Sequence, residues 1–380
     1  MAAARVASYL TSQKGSSDES VAAVFSKLEE LYNKKLWHQL TLATAEAIKL
    51  PYFTEQGGRM KELYDNFVCD FEHRINPLAL MEIAMYCLLD MQDKDEAIKF
   101  IEKLKLRIKG HKEASILAET ALGNIYIRTR ELPEVKKIVE ATQASLEELD
   151  GVTAVHSRFY ELSSDYYKLQ GDHANYYREA LRFLGCIDLS QLPNDRQHER
   201  AYSLSLAALL GDGVYNFGEL LAHPILDSLR KTDKQWIIDL MYAFNSGDIG
   251  KFENSQPMLQ KQPDLAKAID KLKMKISLLC LMEMTFNRPS NNRCISFAEI
   301  AKETRLPINE VELLTMKALS LGLVRGTIDQ VEQHVTMTWV QPRVLDLAQI
   351  STMQKRLTQW CDDVKQMELL VENKAHDILI

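Results

Sequence analysis

The chain has 380 residues, enough for two or three domains, and its 46% hydrophobic and 26% charged residues are those of an ordinary globular protein. With only 15 glycines and 10 prolines it is poorly punctuated, which favours long helices over many short strands. A formal charge of −7 argues against generic nucleic-acid binding and leaves room only for a local basic patch.

The six cysteines (Cys69, Cys87, Cys186, Cys280, Cys294 and Cys361) are scattered and form no C-x-x-C pair. That pattern excludes a zinc knuckle or a disulfide framework and fits reduced thiols in the cytoplasm and nucleus. The start of the chain has no secretory pattern, and no window approaches the roughly 20 apolar residues of a membrane span.

In chain order, residues 1–20 end in a Ser-rich polar stretch and are expected to form a flexible tail. From residue 21 a helical period takes over. Leu36, Leu40, Ala43, Ala47 and Leu50 fall on one helix face, and Leu63, Phe67 and Phe71 make a second stripe. Further helices are predicted over 78–91 and 96–108. Polar turns then recur near Gln92-Asp93, Arg130-Glu131, Gly171-Asp172, Gly211-Asp212 and Gly247-Asp248. A spacing of about 40 residues suits stacked helical hairpins, since one hairpin cannot bury its own apolar face. A non-repetitive helical domain would also fit. The paired aromatics Phe159-Tyr160, Tyr166-Tyr167 and Tyr176-Tyr177 are interrupted by acids, which suits packing between hairpins better than base stacking. Residues 256–264 read as a loop before a last long helix over 266–286.

Residues 294–340 read as a winged helix. Ser296 and Glu299 form a capping box, Asn309 and Glu312 a second one, and Gly322 sits where a left-handed C-terminal cap is expected. Residues 324–328 and 335–339 then make a two-stranded wing, the second strand alternating apolar and hydroxyl side chains. A groove reader places Arg, Lys, Asn or Gln on its second helix. This module has four bases (Lys302, Arg305, Lys317, Arg325) against six acids (Glu299, Glu303, Glu310, Glu312, Asp329, Glu332), a balance that would repel phosphates. A protein-facing role therefore fits it better than a nucleic-acid regulator.

At the end of the chain Ile350, Met353, Leu357, Trp360, Val364, Met367 and Val371 are spaced alternately by three and four residues, the a/d pattern of a coiled-coil seam. Such a seam needs a partner helix or must fold back on its own chain. No P-loop, dinucleotide fingerprint, G-x-S-x-G elbow, H-E-x-x-H or H-x-H occurs, so no catalytic residue, cofactor or metal site is predicted. A hydrolase would need titratable residues brought together across hairpins.

Lys34-Lys-Leu-Trp-His-Gln-Leu40, Val155-His-Ser-Arg-Phe-Tyr160, Tyr215-Asn-Phe-Gly-Glu-Leu-Leu-Ala-His-Pro224, Leu278-Leu-Cys-Leu-Met-Glu-Met284 and Met337-Thr-Trp-Val-Gln-Pro-Arg-Val-Leu345 carry a resemblance. Together with a helical solenoid running into a winged helix, they resemble the PCI-domain family of proteasome non-ATPase regulatory subunits of the subunit 13 type. PCI scaffolds of the signalosome and of a translation-initiation complex share the layout. The resemblance implies a mostly α fold: a right-handed solenoid of helical hairpins, a winged helix and a long C-terminal helix. It places the solenoid at 21–170, the PCI domain at 171–343 (helical part 171–292, winged helix 293–343) and a bundle helix at 344–380. It further implies a non-catalytic scaffold of the proteasome lid, acting in ubiquitin-dependent degradation as part of a hetero-oligomer of PCI subunits. The wing residues Thr336, Met337, Thr338, Trp339 and Val340 would extend a neighbour's sheet, and the terminal seam would join a helical bundle.

Overall fold

In a computed structural model of the protein, residues 2–16, 19–48, 50–54, 58–91, 93–230, 232–260, 262–289, 292–345 and 347–374 are described. The chain divides into two units, Met1–Asp188 and Leu189–Ile380.

The first unit begins with α1 (Ala2–Ser16), packed on α2 (Glu19–Asn33). This corrects the expected flexible tail. Val6 and Leu10 lie four residues apart on one face and are 2% and 1% exposed, and Arg5 reaches Asn66 at 2.9 Å. The polar composition of residues 11–20 hid that short apolar stripe. In α3 (Trp37–Ala47) the predicted stripe is buried at Leu40, Ala43 and Ala47, while Leu36 stands exposed at the helix start. Leu63, Phe67 and Phe71 are all buried, on a stretch of helix that contains one π-turn at Tyr64–Val68.

Next come α4 (Pro77–Asp90), α5 (Lys94–Arg107), α6 (Lys112–Arg128), α7 (Leu132–Glu147), α8 (Ala154–Gln170) and α9 (His173–Cys186). α4 packs on α6 and α6 on α8, while α5, α7 and α9 each pack against a member of that row, as stacked hairpins require. Turn chemistry sets the hairpins. Gly171 takes φ +79° to end α8, and the Asp172 carboxylate accepts from the Asn175 amide at 3.1 Å to start α9. Phe159, Tyr166, Tyr176 and Tyr177 are buried in this packing, so the aromatic run is core. The boundary expected between 170 and 171 would cut the α8–α9 hairpin; the units divide after Asp188 instead.

The second unit contains α10 (Asn194–Leu210), α11 (Gln235–Ser246) and α12 (Ile269–Asn287). The Gly-Asp device recurs after α11, where Gly247 has φ +66° and Asp248 caps the next short helix. The segment expected to be a loop at 256–264 holds the short helix Gln256–Leu259 and the start of a second, Pro263–Lys267; prolines in their first turns start both. α12 is apolar nearly all round: Leu272, Ile276, Leu279, Leu281 and Met282 are at most 1% exposed.

The winged helix comprises β1 (Cys294–Ser296), α13 (Phe297–Thr304), α14 (Ile308–Ser320), β2 (Val324–Asp329) and β3 (His334–Val340), packed on α12 through α13, α14 and β3. α15 (Leu347–Lys374) follows. The Ser296–Glu299 capping box is present, each side chain accepting from the other's backbone amide at 3.3 Å. The second box is absent: α14 starts at Ile308 behind Pro307, so Asn309 is already inside the helix. Glu312 accepts from Gln330 instead, at 3.0 Å. Gly322, at φ +69°, ends α14 in a Schellman motif, with Gly322 N–H donating to Leu319 O and Leu323 N–H to Ala318 O, both at 3.0 Å.

Candidate assembly surfaces

The segment between β3 and α15 is held against the helical part of the second unit. Arg343 is half-buried between α11 and α12: it donates to Asn245 O at 3.1 Å and pairs with Glu283. Val344 N–H donates to Asn216 Oδ1 at 3.3 Å, and its side chain and carbonyl lie so near Gly218 that a Cβ there would meet them at 2.6 and 2.8 Å. The root of α15 is thus fixed to the domain body.

Beyond that root, α15 finds no cover. Every side chain described from Ser351 to Glu372 is exposed. The seven predicted seam residues form one stripe along its 28 residues, with Ile350 at 48%, Trp360 at 64% and Met367 at 66% exposure. None of the described residues folds back over this stripe. An apolar stripe of this length held in water is a candidate interaction surface.

The sheet corrects the predicted wing edge. Its order is β1-β3-β2, so β3 is the central strand, but β1 pairs only with His334–Thr336 and leaves Thr338–Val340 without a strand partner on that side among the described residues. Thr336 pairs with Cys294 on one side and Thr327 on the other, and Met337 N–H donates to Arg293 O at 2.9 Å. Val335 and Met337 point into the core, Thr336 and Thr338 outward, and Trp339 and Val340 are half-buried. The true edges are β2, broken by a bulge at Arg325/Gly326, and the three-residue β1. A strand as short as β1 has too little periodicity to be predicted.

The exposed face of α14 carries Ile308, Leu313 and Met316 at 50–61% exposure, beside Glu310 and Glu312. Of the module's four bases, Arg305 is paired with Glu253, and Arg325 lies 4.7 Å over the Trp339 ring. Lys317 is the one basic residue on α14, exposed beside these acidic and apolar side chains.

One buried cation was not foreseen. Lys275 of α12 is 8% exposed, and its ammonium donates to Ala208 O, Leu209 O and Gly211 O at 2.8, 3.1 and 2.8 Å. It thereby closes the C-terminal end of α10, where carbonyls lack helical partners, and it lies over the rings of Tyr215 and Phe217. Burial pushes its pKa down to about 7, opposed by Asp212. A cleft of about 310 Å³ opens beside it, lined also by Tyr215, Lys271 and Lys317. Lys275 is one of three lysines in the first half of α12, with Lys271 and Lys273, so the sequence alone did not single it out. Among the described residues, no three His, Cys, Asp or Glu side chains are grouped to hold a metal ion, and no helix is long and apolar enough to cross a membrane.

Comparison with known proteins places these surfaces in a family. A family model described as PSD13 N-terminal repeats matches residues 24–241, and one described as PCI domain matches residues 253–339. The 26S proteasome non-ATPase regulatory subunit 13 of Dictyostelium discoideum is 38% identical over 362 residues, covering 93% of this chain and 94% of its own length. Homolog B of that subunit from Arabidopsis thaliana is 37% identical, with 98% of both chains covered. The probable 26S proteasome regulatory subunit rpn9 of Schizosaccharomyces pombe is 36% identical, over 98% of this chain and 97% of its own. With helical repeats, winged helix and terminal helix all inside these end-to-end matches, the chain belongs to the family of 26S proteasome non-ATPase regulatory subunit 13 proteins.

Proposed function

We propose that the chain is a non-catalytic structural subunit of the proteasome regulatory-particle lid and contributes to ubiquitin-dependent protein degradation through assembly of that particle. The observation that carries this reading is α15: a root fixed by Arg343 and a seven-residue apolar seam that none of the described residues covers. A subunit of a large complex gains association free energy by burying such a stripe against its neighbours. Its partners are other PCI subunits and lid helices in a hetero-oligomer, in the cytoplasm and nucleus, without nucleic acid or membrane. The winged helix adds an apolar α14 face and the outer edge of β2 as contacts that set position.

Deletion of residues 346–380 tests the reading. The truncated chain is expected to stay folded, because α15 buries nothing beyond its first turn, and to disappear from purified proteasomes. Normal incorporation of the truncated chain would overturn the assignment of α15. Recovery of signalosome or translation-initiation subunits with the tagged full chain would move it to another PCI complex. Steeply salt-dependent binding of duplex DNA would favour a nucleic-acid regulator.

A further inference from the structure

The seam of α15 stands in water whenever the chain is outside its complex. We propose that a second copy of the chain then covers it, as an antiparallel pair of α15 helices with Leu357 packed against Trp360 of the other copy. Apolar residues alone would permit several pairings; the charges beside the seam select one. Ile350, Leu357, Val364 and Val371 occupy a positions, and Met353, Trp360 and Met367 occupy d positions.

In a parallel pair each g position faces the e position of the next heptad. Asp363 would then face Glu368 of the other copy, twice by symmetry, and repel it. In an antiparallel pair a packs against d and g faces g. Two registers each give six a/d layers. One sets Leu357 against Met367 and Trp360 against Val364, but brings Asp363 onto Asp363. The other sets Ile350 against Met367, Met353 against Val364 and Leu357 against Trp360. It brings Arg356 onto Asp363 in both symmetry-related positions. Arg356 and Asp363 are both exposed on α15, and Asp363 is held in place by the Gln359 side-chain amide at 3.0 Å. Only this register is free of like-charge contacts between g positions.

The inference rests on the seam being an assembly surface, since lid helices would displace the second copy on incorporation. The pairing itself is a property of the isolated chain. Sedimentation of the purified full-length chain across micromolar concentrations tests it. A monomer–dimer equilibrium is expected. Arg356→Asp and Asp363→Arg are each expected to weaken dimerisation roughly tenfold, because two attractive pairs become two repulsive ones, and the double variant is expected to restore it. A monomer at every concentration, or a double variant as weak as the singles, would overturn the proposal. Either result could coexist with seam-dependent incorporation into proteasomes, so the two readings fail separately.

Register is read by crosslinking in a Cys294→Ser background, which leaves Cys361 as the exposed thiol. In the proposed pair Gln354 faces Cys361 of the other copy, so Gln354→Cys should form intermolecular disulfides with diamide while the parent does not. Crosslinking of the parent through Cys361 would instead show the register with Asp363 on Asp363, and would sink the proposal.

Discussion

The double variant Trp360→Asp/Val364→Asp separates the stability of the chain from its assembly. In the isolated protein Trp360 is 64% and Val364 50% exposed, so their replacement removes little burial and should leave the melting temperature nearly unchanged. Inside a helical bundle each side chain would contribute about 1.5–3 kcal/mol of apolar burial. Losing both removes about 3–6 kcal/mol, a weakening of roughly two to four decades in affinity, before counting two carboxylates brought into an apolar seam. Tagged wild-type and variant chains would be compared for co-purification with proteasomes, alongside thermal melts followed by circular dichroism. Incorporation equal to wild type would refute the seam as the attachment surface. A melting temperature lowered by several degrees at concentrations where the chain is monomeric would refute the premise that these residues are free within a single chain.

Lys275→Met leaves three carbonyls without their donor and is expected to cost about 1–3 kcal/mol in the second unit, measured by urea unfolding. The same experiment carries a pH signature. With its pKa pushed down from 10.5 to about 7, folded Lys275 loses its proton before the unfolded chain does, so wild-type stability rises with pH between these values. The Met variant should lack that rise, and parallel slopes would exclude a depressed Lys275. Leu10→Ala, at a site 1% exposed, should destabilise the first unit by about 2–5 kcal/mol in thermal melts; a loose terminus would show no change. Ser296→Ala removes the cap of α13 and should cost about 0.5–2 kcal/mol, seen as faster amide exchange in that helix alone.

Much of this molecule follows from local chemistry. The stripe at Leu63, Phe67 and Phe71, the Gly171-Asp172 turn, the Ser296–Glu299 box and the glycine stop at Gly322 each depend on residues within a turn or two of one another, and all are present. The a/d spacing of α15 is equally local, which is why the seam was legible before any fold was known. What remained hidden depends on residues distant in the chain. The Asn309 box is the local exception: Pro307, two positions before it, starts the helix earlier. Thr336–Val340 had the alternation of a strand, yet pairing of Cys294–Ser296 with His334–Thr336 made that strand central and left β1 and β2 as the edges.

The burial of α1 likewise depends on surfaces far along the chain, and the Lys275 clamp joins residues more than sixty positions apart. The sequence by itself determined the helices, their caps and the apolar stripe that α15 presents, because periodicity and capping are set within a few residues. Tertiary structure alone decided which strand is an edge and which stripe stays uncovered, because pairing and burial depend on what the rest of the chain brings alongside.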